Sequence, residues 1–301
     1  MPMNIYVMCP SKTATGGIEL LHQITNELNR HENIDAKIWF RGQSGEDLMP
    51  KEYERYGNKY EKRKDIPDDS VVIVPEIWAK KAKEFKRPCI YWESVDNYIA
   101  CSGLKTLPDR LPVHTIHLTQ SEYARQFLIQ NGVTESIEIT DYLNDDFFAD
   151  YEETEREPVV LYNPRKGWMN TQKIIRRCSG IRFTPIQNLE RAGVIDLMHR
   201  SMVYIDFGHH PGKDRIPREA AMCGLCVITG TDGSAKYFED VSIPEVYKID
   251  KKNLVQIEAQ IRRCLEDYDA RRHDFDGYRE RIKGEKNRFI DGVGRFVSLI
   301  G

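Results

Sequence analysis

The sequence has no apolar run that approaches the roughly 20 residues needed by a membrane-spanning helix. It also has little net charge, since 44 Lys and Arg against 47 Asp and Glu leave −3, so no global basic field points to a nucleic-acid partner. The opening segment, MPMNIYVMCP, shows neither a basic region nor a long apolar region of a signal peptide, so we expect a cytoplasmic protein. With 40% hydrophobic and 30% charged residues, the composition is that of a globular chain rather than a disordered one.

The seven cysteines are odd in number and scattered, which favours free thiols in a reducing compartment over a disulfide framework. Cys223 and Cys226 form a CxxC, but the segment around them has the pattern of a helix end, a glycine turn and a buried strand. No second cysteine pair completes a zinc site. We expect neither a metal nor a redox role for this pair.

Strand, loop and helix alternate along the chain, which is typical of parallel α/β layers. The first half contains predicted strands at Asn4–Cys9, Ala36–Phe40, Val71–Pro75, Cys89–Trp92, His114–Thr119 and Ser136–Thr140. Predicted helices in this half are Ile18–Arg30, Ala79–Phe85 and Ser121–Asn131, and the charged segment Lys51–Lys64 is predicted as a solvated helix or an excursion.

The second half repeats the same order after an acidic stretch at 141–158 that we interpret as a linker. Its predicted strands are Val159–Tyr162, Ile181–Pro185, Val203–Phe207 and Cys226–Thr229. Its predicted helices are Trp168–Arg177, Arg191–Arg200, Ile216–Cys223, Lys252–Tyr268 and Ala270–Leu299. The pattern predicts an α/β protein of two Rossmann-like domains, 1–150 and 151–301, that face each other across a cleft.

Gly16 and Gly17 follow the first strand in the loop TATGG and precede the first helix. Glycine there lets a ligand approach the backbone at the positive end of a helix. The loop is not GxGxxG, and no acidic residue lies at the spacing that holds a ribose, so a dinucleotide site is not expected. A tight turn without a ligand is an equally good interpretation.

The first strand of the second half ends in YNPRKG, which places Arg165 and Lys166 at a carboxyl edge before a helix. Arg grips phosphate with two hydrogen bonds and Lys supplies a point charge, so the pair fits a diphosphate. A basic surface turn is the alternative.

The segment 206–221, DFGHHPGKDRIPREAA, is the densest in polar groups. Glu219, one turn into the predicted helix, can accept the two hydroxyls of a ribose, and Lys213 and Arg215 can neutralise a diphosphate. We favour contact of His210 with a nucleotide donor over a metal site at His209 and His210. Adjacent histidines rarely bind one metal ion, and no acidic residue has the spacing of a further metal ligand.

Glu93 and Asp96 follow the strand that ends at Trp92, in the segment WESVDN. Their carboxylates suit a base or a ligand of an acceptor. A helix-capping loop explains the segment equally well.

In this order the segments resemble the GT-B glycosyltransferases, and more closely the large retaining group of bacterial polysaccharide-assembly enzymes. GGIE at 16–19, LTQSEY at 118–123 with NGV at 131–133, and NPRKG at 163–167 each resemble a motif of that group. PREAAMCGLCVI at 217–228 is the most specific match, to a donor-binding helix.

The sequence departs from the group at two places. The group carries two glutamates eight positions apart, and here Glu219 is the second while Pro211 replaces the first. The histidine that the group has after the Trp92 strand is replaced by Glu93 and Ser94. Donor binding by Glu219 carries over from the resemblance, whereas the retaining outcome does not.

The resemblance implies transfer of a sugar from a nucleotide-sugar donor to a saccharide or lipid-linked acceptor, in assembly of surface polysaccharide or glycoconjugate. It implies no metal and no other cofactor, because side chains and a helix dipole neutralise the donor diphosphate. It also implies that the last helix packs back on the first domain. The basic C-terminal residues leave open a peripheral contact with the inner face of a membrane. The alternatives are an epimerase or phosphorylase of this fold, or a nucleotide-binding or scaffold subunit without activity.

Overall fold

The computed structural model describes residues 2–10, 15–42, 49–148 and 155–301. The chain forms two compact units: unit 1, residues 1–141 with 286–301, and unit 2, residues 142–285. The predicted acidic linker falls partly outside the described residues, and the division between the units lies at Asp141 and Tyr142.

Unit 1 is built on a parallel sheet of seven strands in the order β3-β2-β1-β4-β5-β6-β7. The strands are β1 Met3–Met8, β2 Ile34–Trp39, β3 Tyr60–Glu61, β4 Val71–Pro75, β5 Arg87–Trp92, β6 Ile116–Thr119 and β7 Ile137–Glu138. Its helices are α1 Gly16–Leu28, α2 Val95–Ser102, α3 Glu122–Gln130 and, from Lys286 on, α10 Glu285–Ile300, with 3-10 turns at Lys51–Tyr56 and Glu76–Glu84.

Unit 2 is built on a parallel sheet of four strands in the order β11-β10-β8-β9. The strands are β8 Glu157–Tyr162, β9 Arg182–Pro185, β10 Ser201–Asp206 and β11 Cys226–Thr229. The helices are α4 Trp168–Arg177, α5 Arg191–His199, α6 Arg215–Met222, α7 Leu254–Glu266, α8 Tyr268–Arg271 and α9 Asp276–Lys283, and α10 Glu285–Ile300 begins at the boundary of this unit.

Burial explains why the two sheets form. All five residues of β4 are buried, as are the last four of β1 and of β10, so these strands are continuous apolar runs covered on both faces. Helices begin where polar side chains satisfy free N–H groups: Ser121 Oγ accepts from Ala124 N at 3.1 Å before α3, and Asn253 Oδ1 accepts from Gln256 N at 3.2 Å before α7.

Three sequence expectations differ from the structure. The segment Lys51–Lys64 contributes strand β3, which pairs with β2 at the edge of the sheet. The helix predicted at Ala79–Phe85 is a 3-10 helix that begins at Glu76. The long helix predicted at Ala270–Leu299 is broken into α8, a 3-10 turn at Arg272–Phe275, α9 and α10. Gly284 ends α9, and α10 starts at Glu285.

Among the described residues, no helix is both long and apolar enough to cross a membrane.

Candidate functional site

The order of strands in unit 2 selects one place for a ligand. The chain passes from β8 to β9 on one side and then returns to β10 on the other side of β8. In a parallel sheet the crevice at such a reversal, outside the carboxyl ends of the strands, is where ligands bind. Here it is bounded by the β8–α4 loop, residues 163–167, and the β10–α6 loop, residues 207–214.

Two glycines bring these loops into contact. Gly167 has φ of +57°, and a Cβ there would lie 2.5 Å from the Cα of Gly208. A Cβ on Gly208 would in turn lie 2.8 Å from the Cβ of Lys166. Asn170 also donates from its side chain to the carbonyl of Phe207 at 3.1 Å. The two loops therefore form one surface, which only glycine at both positions permits.

Arg165 and Lys166 take different positions on this surface. Arg165 is exposed, and Lys166 is half-buried with its ammonium paired to the carboxylate of Asp214. The predicted basic pair thus lies at the carboxyl edge of the sheet, with Lys166 held in place by an acid from the neighbouring loop.

His210 is fully buried between two aspartates. Its Nδ1 lies 2.8 Å from Oδ2 of Asp214, and its Nε2 lies 3.6 Å from Oδ1 of Asp206. Burial by itself would lower the pKa of His210, but the charges of Asp206 and Asp214 leave it raised. Burial likewise opposes ionisation of Asp214, while His210 and Lys166 hold the pKa of that carboxyl below its usual value.

The expectation that no acidic residue has metal-ligand spacing to His210 is wrong. Asp206 and Asp214 lie four residues before and after it, and one ligand atom from each of the three lies within 4.8 Å of the others. The ammonium of Lys166 already shares the carboxylate of Asp214. The geometry is that of a compensated ion-pair network, and the expectation of no bound metal stays a prediction.

Lys213, expected at a diphosphate, points into the protein. Its side chain is 6% exposed, and Nζ lies 2.9 Å from Oε1 of Glu285. The other oxygen of Glu285 lies 2.7 Å from Nη1 of Arg218, whose side chain is 0% exposed. Glu285 and Arg218 are two polar residues of this region that sequence reasoning missed. Glu285 is 67 residues from Arg218, so no local pattern pointed to the pair.

Glu219 lies on α6, as predicted, and Arg215, expected in the loop before this helix, lies on it too. Arg215 is its first residue, and Glu219, half-buried, is one turn further on. The hydroxyl of Tyr204, on the preceding strand β10, donates to Oδ2 of Asp206 at 3.1 Å, and burial together with the charges of Asp206, Asp214 and Glu219 raises the pKa of Tyr204.

A third loop holds the β10–α6 loop from the side of β11. Ser234 N donates to the carbonyl of His210 at 2.9 Å, and Ser234 Oγ donates to the carbonyl of Gly212 at 2.6 Å. Gly233, with φ of +59°, leaves room for the backbone of His210. Contacts from α4 and from the loop after β11 therefore hold the loop that carries the candidate donor residues.

In unit 1 the sheet order reverses between β1 and β4. Gly16 and Gly17 begin α1 at the end of β1, and Thr15 Oγ1 accepts from Ile18 N at 3.4 Å. A Cβ on Gly17 would collide with Oε2 of Glu93. The structure thus brings together the glycine turn and one of the predicted carboxylates. Thr13 and Ala14 of the same loop lie outside the described residues.

Glu76 is an acid that sequence reasoning missed. It follows β4 directly and is 4% exposed, and its Oε2 accepts from the backbone N–H of Glu93 at 3.4 Å. Burial raises its pKa to about 8, against backbone N–H groups that lower it. The signal was present, since an acid at the carboxyl end of a buried parallel strand lies at the ligand edge of the sheet.

Asp96 lies in the first turn of α2. It accepts a hydrogen bond of 3.0 Å from the hydroxyl of Tyr123. Ser94 Oγ accepts from Asn97 N at 3.2 Å and caps the same helix. The helix-capping interpretation of this segment is confirmed for Ser94.

No protein-family model and no curated protein matches this chain. Solved structures do. A glycosyltransferase from Rickettsia africae matches with a TM-score of 0.72 and 12% identity over 99% of this chain and 98% of that one. Sucrose-phosphate synthase from Thermosynechococcus elongatus matches with 0.69 and 12% over 99% of both chains. The Anabaena protein HepE, solved in complex with UDP and glucose, matches with 0.64 and 12% over 98% of both.

The chain has the GT-B fold. The matches run over nearly the full length of each chain, and two parallel α/β units are present. The fold predicted from the resemblance is confirmed. At 12% identity these structures are evidence for the GT-B architecture, whereas chemistry must be argued from the residues at the sheet edges.

Proposed function

We propose that this GT-B protein is a glycosyltransferase that takes a sugar from a nucleotide-sugar donor bound by unit 2. The observation that supports it most is the contact of Gly167 with Gly208 at the strand reversal, which joins a basic loop to the amino end of α6. A nucleotide diphosphate needs such an arrangement, with cations and free N–H groups on one side.

The donor contacts are assigned by position at the carboxyl edge of the sheet, where Arg165 is exposed and Arg215 and Glu219 are half-buried. Arg165 and Arg215 would bind the diphosphate, Lys166 would contribute its charge from the ion pair with Asp214, and Glu219 would accept the ribose hydroxyls. His210 is buried and would act indirectly by holding Asp214. No metal is part of the proposal, because Arg165, Arg215 and the amino end of α6 would supply the positive charge that an ion would otherwise bring.

The acceptor side is assigned to unit 1. Glu93, against Gly17, would act as a base or bind the acceptor, with Asp96 as the further candidate. The finer proposal, a saccharide or lipid-linked acceptor in surface polysaccharide assembly at the inner face of a membrane, rests on the resemblance of the motifs. HepE with UDP-glucose bound supports a search that begins with UDP-sugars.

A second candidate is a nucleotide-binding subunit without transfer activity. Pro211, in place of the first glutamate of the group, favours it, since a carboxylate that would contact the donor is missing. Both candidates bind nucleotide, and only the transferase forms a glycosylated product.

The test is a thermal-shift screen with UDP-, GDP-, CMP-, ADP- and dTDP-sugars on the wild type, Glu219→Ala and Glu266→Ala. Glu266 is an exposed carboxylate in the same unit and serves as the control. Ligand at about 100 times its dissociation constant adds roughly 2.7 kcal/mol of stability. We expect one base to stabilise the wild type and the control but not Glu219→Ala, with no change on adding EDTA.

If no nucleotide sugar stabilises the wild type, the proposal is wrong. If one does, incubation with that donor and candidate acceptors separates the two functions. Binding without hydrolysis or transfer supports the inactive subunit.

A further inference from the structure

The β10–α6 loop and the start of α6 carry two cations inward. The side chains of Lys213 and Arg218 are 6% and 0% exposed, and that of Glu285 is 3% exposed. A buried charge is tolerated only when it is paired and hydrogen-bonded. One carboxylate meets both cations here, which makes Glu285 the centre of the cluster.

Each oxygen of Glu285 binds one cation. Oε1 lies 2.9 Å from Nζ of Lys213, and Oε2 lies 2.7 Å from Nη1 of Arg218. Removing Glu285 would take from each of these two buried cations a carboxylate partner at hydrogen-bond distance. The carboxylate therefore fixes the position of both side chains.

Arg218, held by Glu285, also binds the backbone just before α6. Its Nε donates to the carbonyl of Asp214 and its Nη2 to the carbonyl of Lys213, both at 3.2 Å. These are the last two peptide groups before α6 begins at Arg215. The side chain of Asp214 in turn holds Lys166 on the neighbouring loop. A continuous set of contacts thus runs from Glu285 to the proposed phosphate-binding edge.

We propose that Glu285 is a positioning residue for the donor diphosphate. Through Arg218 it sets the backbone of residues 213–214, and through that backbone it sets the place of Asp214, Lys166 and the first N–H groups of α6. The inference rests on the proposed function, and it changes the role of Lys213 from a ligand of the diphosphate to a partner of Glu285.

The test compares a nucleoside diphosphate with its nucleoside. Affinities for UDP and uridine, or the matching pair of the base that the thermal screen selects, are measured calorimetrically for the wild type, Lys213→Met and Lys213→Met/Glu285→Gln. The double variant removes one charge of each sign, so the net charge of the cluster stays the same while the bridge is lost. A loss of affinity for the diphosphate alone indicates that Glu285 positions the diphosphate-binding groups. A general destabilisation of the unit would weaken the binding of both ligands.

We expect Lys213→Met to keep UDP affinity within about threefold, because Glu285 still holds Arg218. We expect the double variant to lose about tenfold or more for UDP and to keep its affinity for uridine. Glu258→Gln is the matched control, since Glu258 also bridges two arginines, Arg177 at 2.9 Å and Arg262 at 3.0 Å, at the surface of the same unit. The control should bind both ligands as the wild type does.

The outcomes separate the alternatives. A tenfold loss in Lys213→Met alone would mean that Lys213 contacts the diphosphate, and an unchanged double variant would mean that Glu285 has no part in binding; either result overturns the inference. Should the double variant not fold, Glu285→Asp replaces it, with a loss for UDP only as the expected result and unchanged UDP affinity as the contrary one. No binding by the wild type overturns the proposed function together with this inference.

Discussion

Several polar residues near the carboxyl edges of the two sheets are buried, which their chemical type alone would not predict. Lys213 faces Glu285 instead of solvent, His210 lies between two aspartates, and Glu76 is buried under the backbone of Glu93. Carboxylate partners compensate the burial of Lys213 and His210, whereas burial favours the neutral form of Glu76. Substitution of such a side chain should change the free energy of unfolding or the ligand affinity in a direction that its partners predict.

Glu76→Gln should increase the free energy of unfolding more at pH 8 than at pH 5. Burial raises the pKa of Glu76 to about 8 from an ordinary value of 4.5, so the folded state holds a proton that the unfolded chain has released across this range. The raised pKa therefore favours folding fully only below pH 4.5, and that advantage is lost as the pH rises to 8. The gap between variant and wild type should widen by on the order of 3 kcal/mol.

Urea denaturation at pH 5, 6.5 and 8 measures this gap, with Glu266→Gln as an exposed control whose gap stays constant. A gap for Glu76→Gln that does not change with pH would show that this carboxyl ionises normally in the folded protein.

Gly167→Ala should both destabilise unit 2 and abolish nucleotide binding. The positive φ costs roughly 1 kcal/mol for a residue with a Cβ. The collision with the backbone of Gly208 adds to this and separates the two loops. Gly180→Ala isolates the first effect, since Gly180 has φ of +81° and nothing within 4 Å of a Cβ. Equal losses in the two variants, by chemical denaturation and thermal shift with nucleotide, would exclude a role for the contact between the loops.

At the scale of elements, α10 shows how one helix face is fixed by packing. Phe289, Val293 and Phe296 are buried, and the backbone of Gly292 lies against the carbonyl of Glu138. Gly294 has open space around it on the same helix. Helix propensity favours alanine at both positions, so packing alone distinguishes them.

Gly294→Ala should therefore stabilise the protein by up to about 1 kcal/mol, while Gly292→Ala should destabilise it. Chemical denaturation of the two variants and the wild type measures these differences in stability. If Gly292→Ala were the more stable variant, α10 would not pack on β7 through this face.

At the scale of the whole molecule, the chain returns to unit 1 at its end. Residues 286–301 belong with residues 1–141. Arg87 Nη2 donates to the carbonyl of Ile300 at 2.6 Å, and Arg295 Nη2 donates to that of Glu138 at 3.2 Å. Unit 1 is thus completed only by the last residues of the chain.

Truncation after Asn287 should raise hydrogen exchange in β5, β6 and β7 of unit 1 and leave β8 and β10 of unit 2 protected as before. Loss of the buried face of α10 exposes apolar surface in one unit alone. Removal of Gly301 only is the control. A rise of similar size in both sheets would show that the units unfold together.

The sequence by itself determined the class of fold, most of the strands and the position of Glu219 on α6. Runs such as Val71–Pro75 and Cys226–Thr229 are mostly apolar because both faces of a buried parallel strand are covered. This requirement acts on consecutive residues, so it can be recognised in the sequence. The short edge strand β3 was not predicted, since two residues at Tyr60–Glu61 carry no periodic signal. The breaks between α8, α9 and α10 were not predicted either, because charge density along 270–299 resembles that of one continuous helix.

Only the tertiary structure decided which charges of the site are free to meet a ligand and which are already paired. Sequence patterns placed Lys166, His210 and Lys213 at the same edge, but their partners Asp214, Asp206 and Glu285 are set by how loops and helices pack. Likewise, the need for glycine at 167 and 208 arises from the approach of two loops more than 40 residues apart in sequence. Electrostatic pairing depends on distance in space, and a sequence records only distance along the chain.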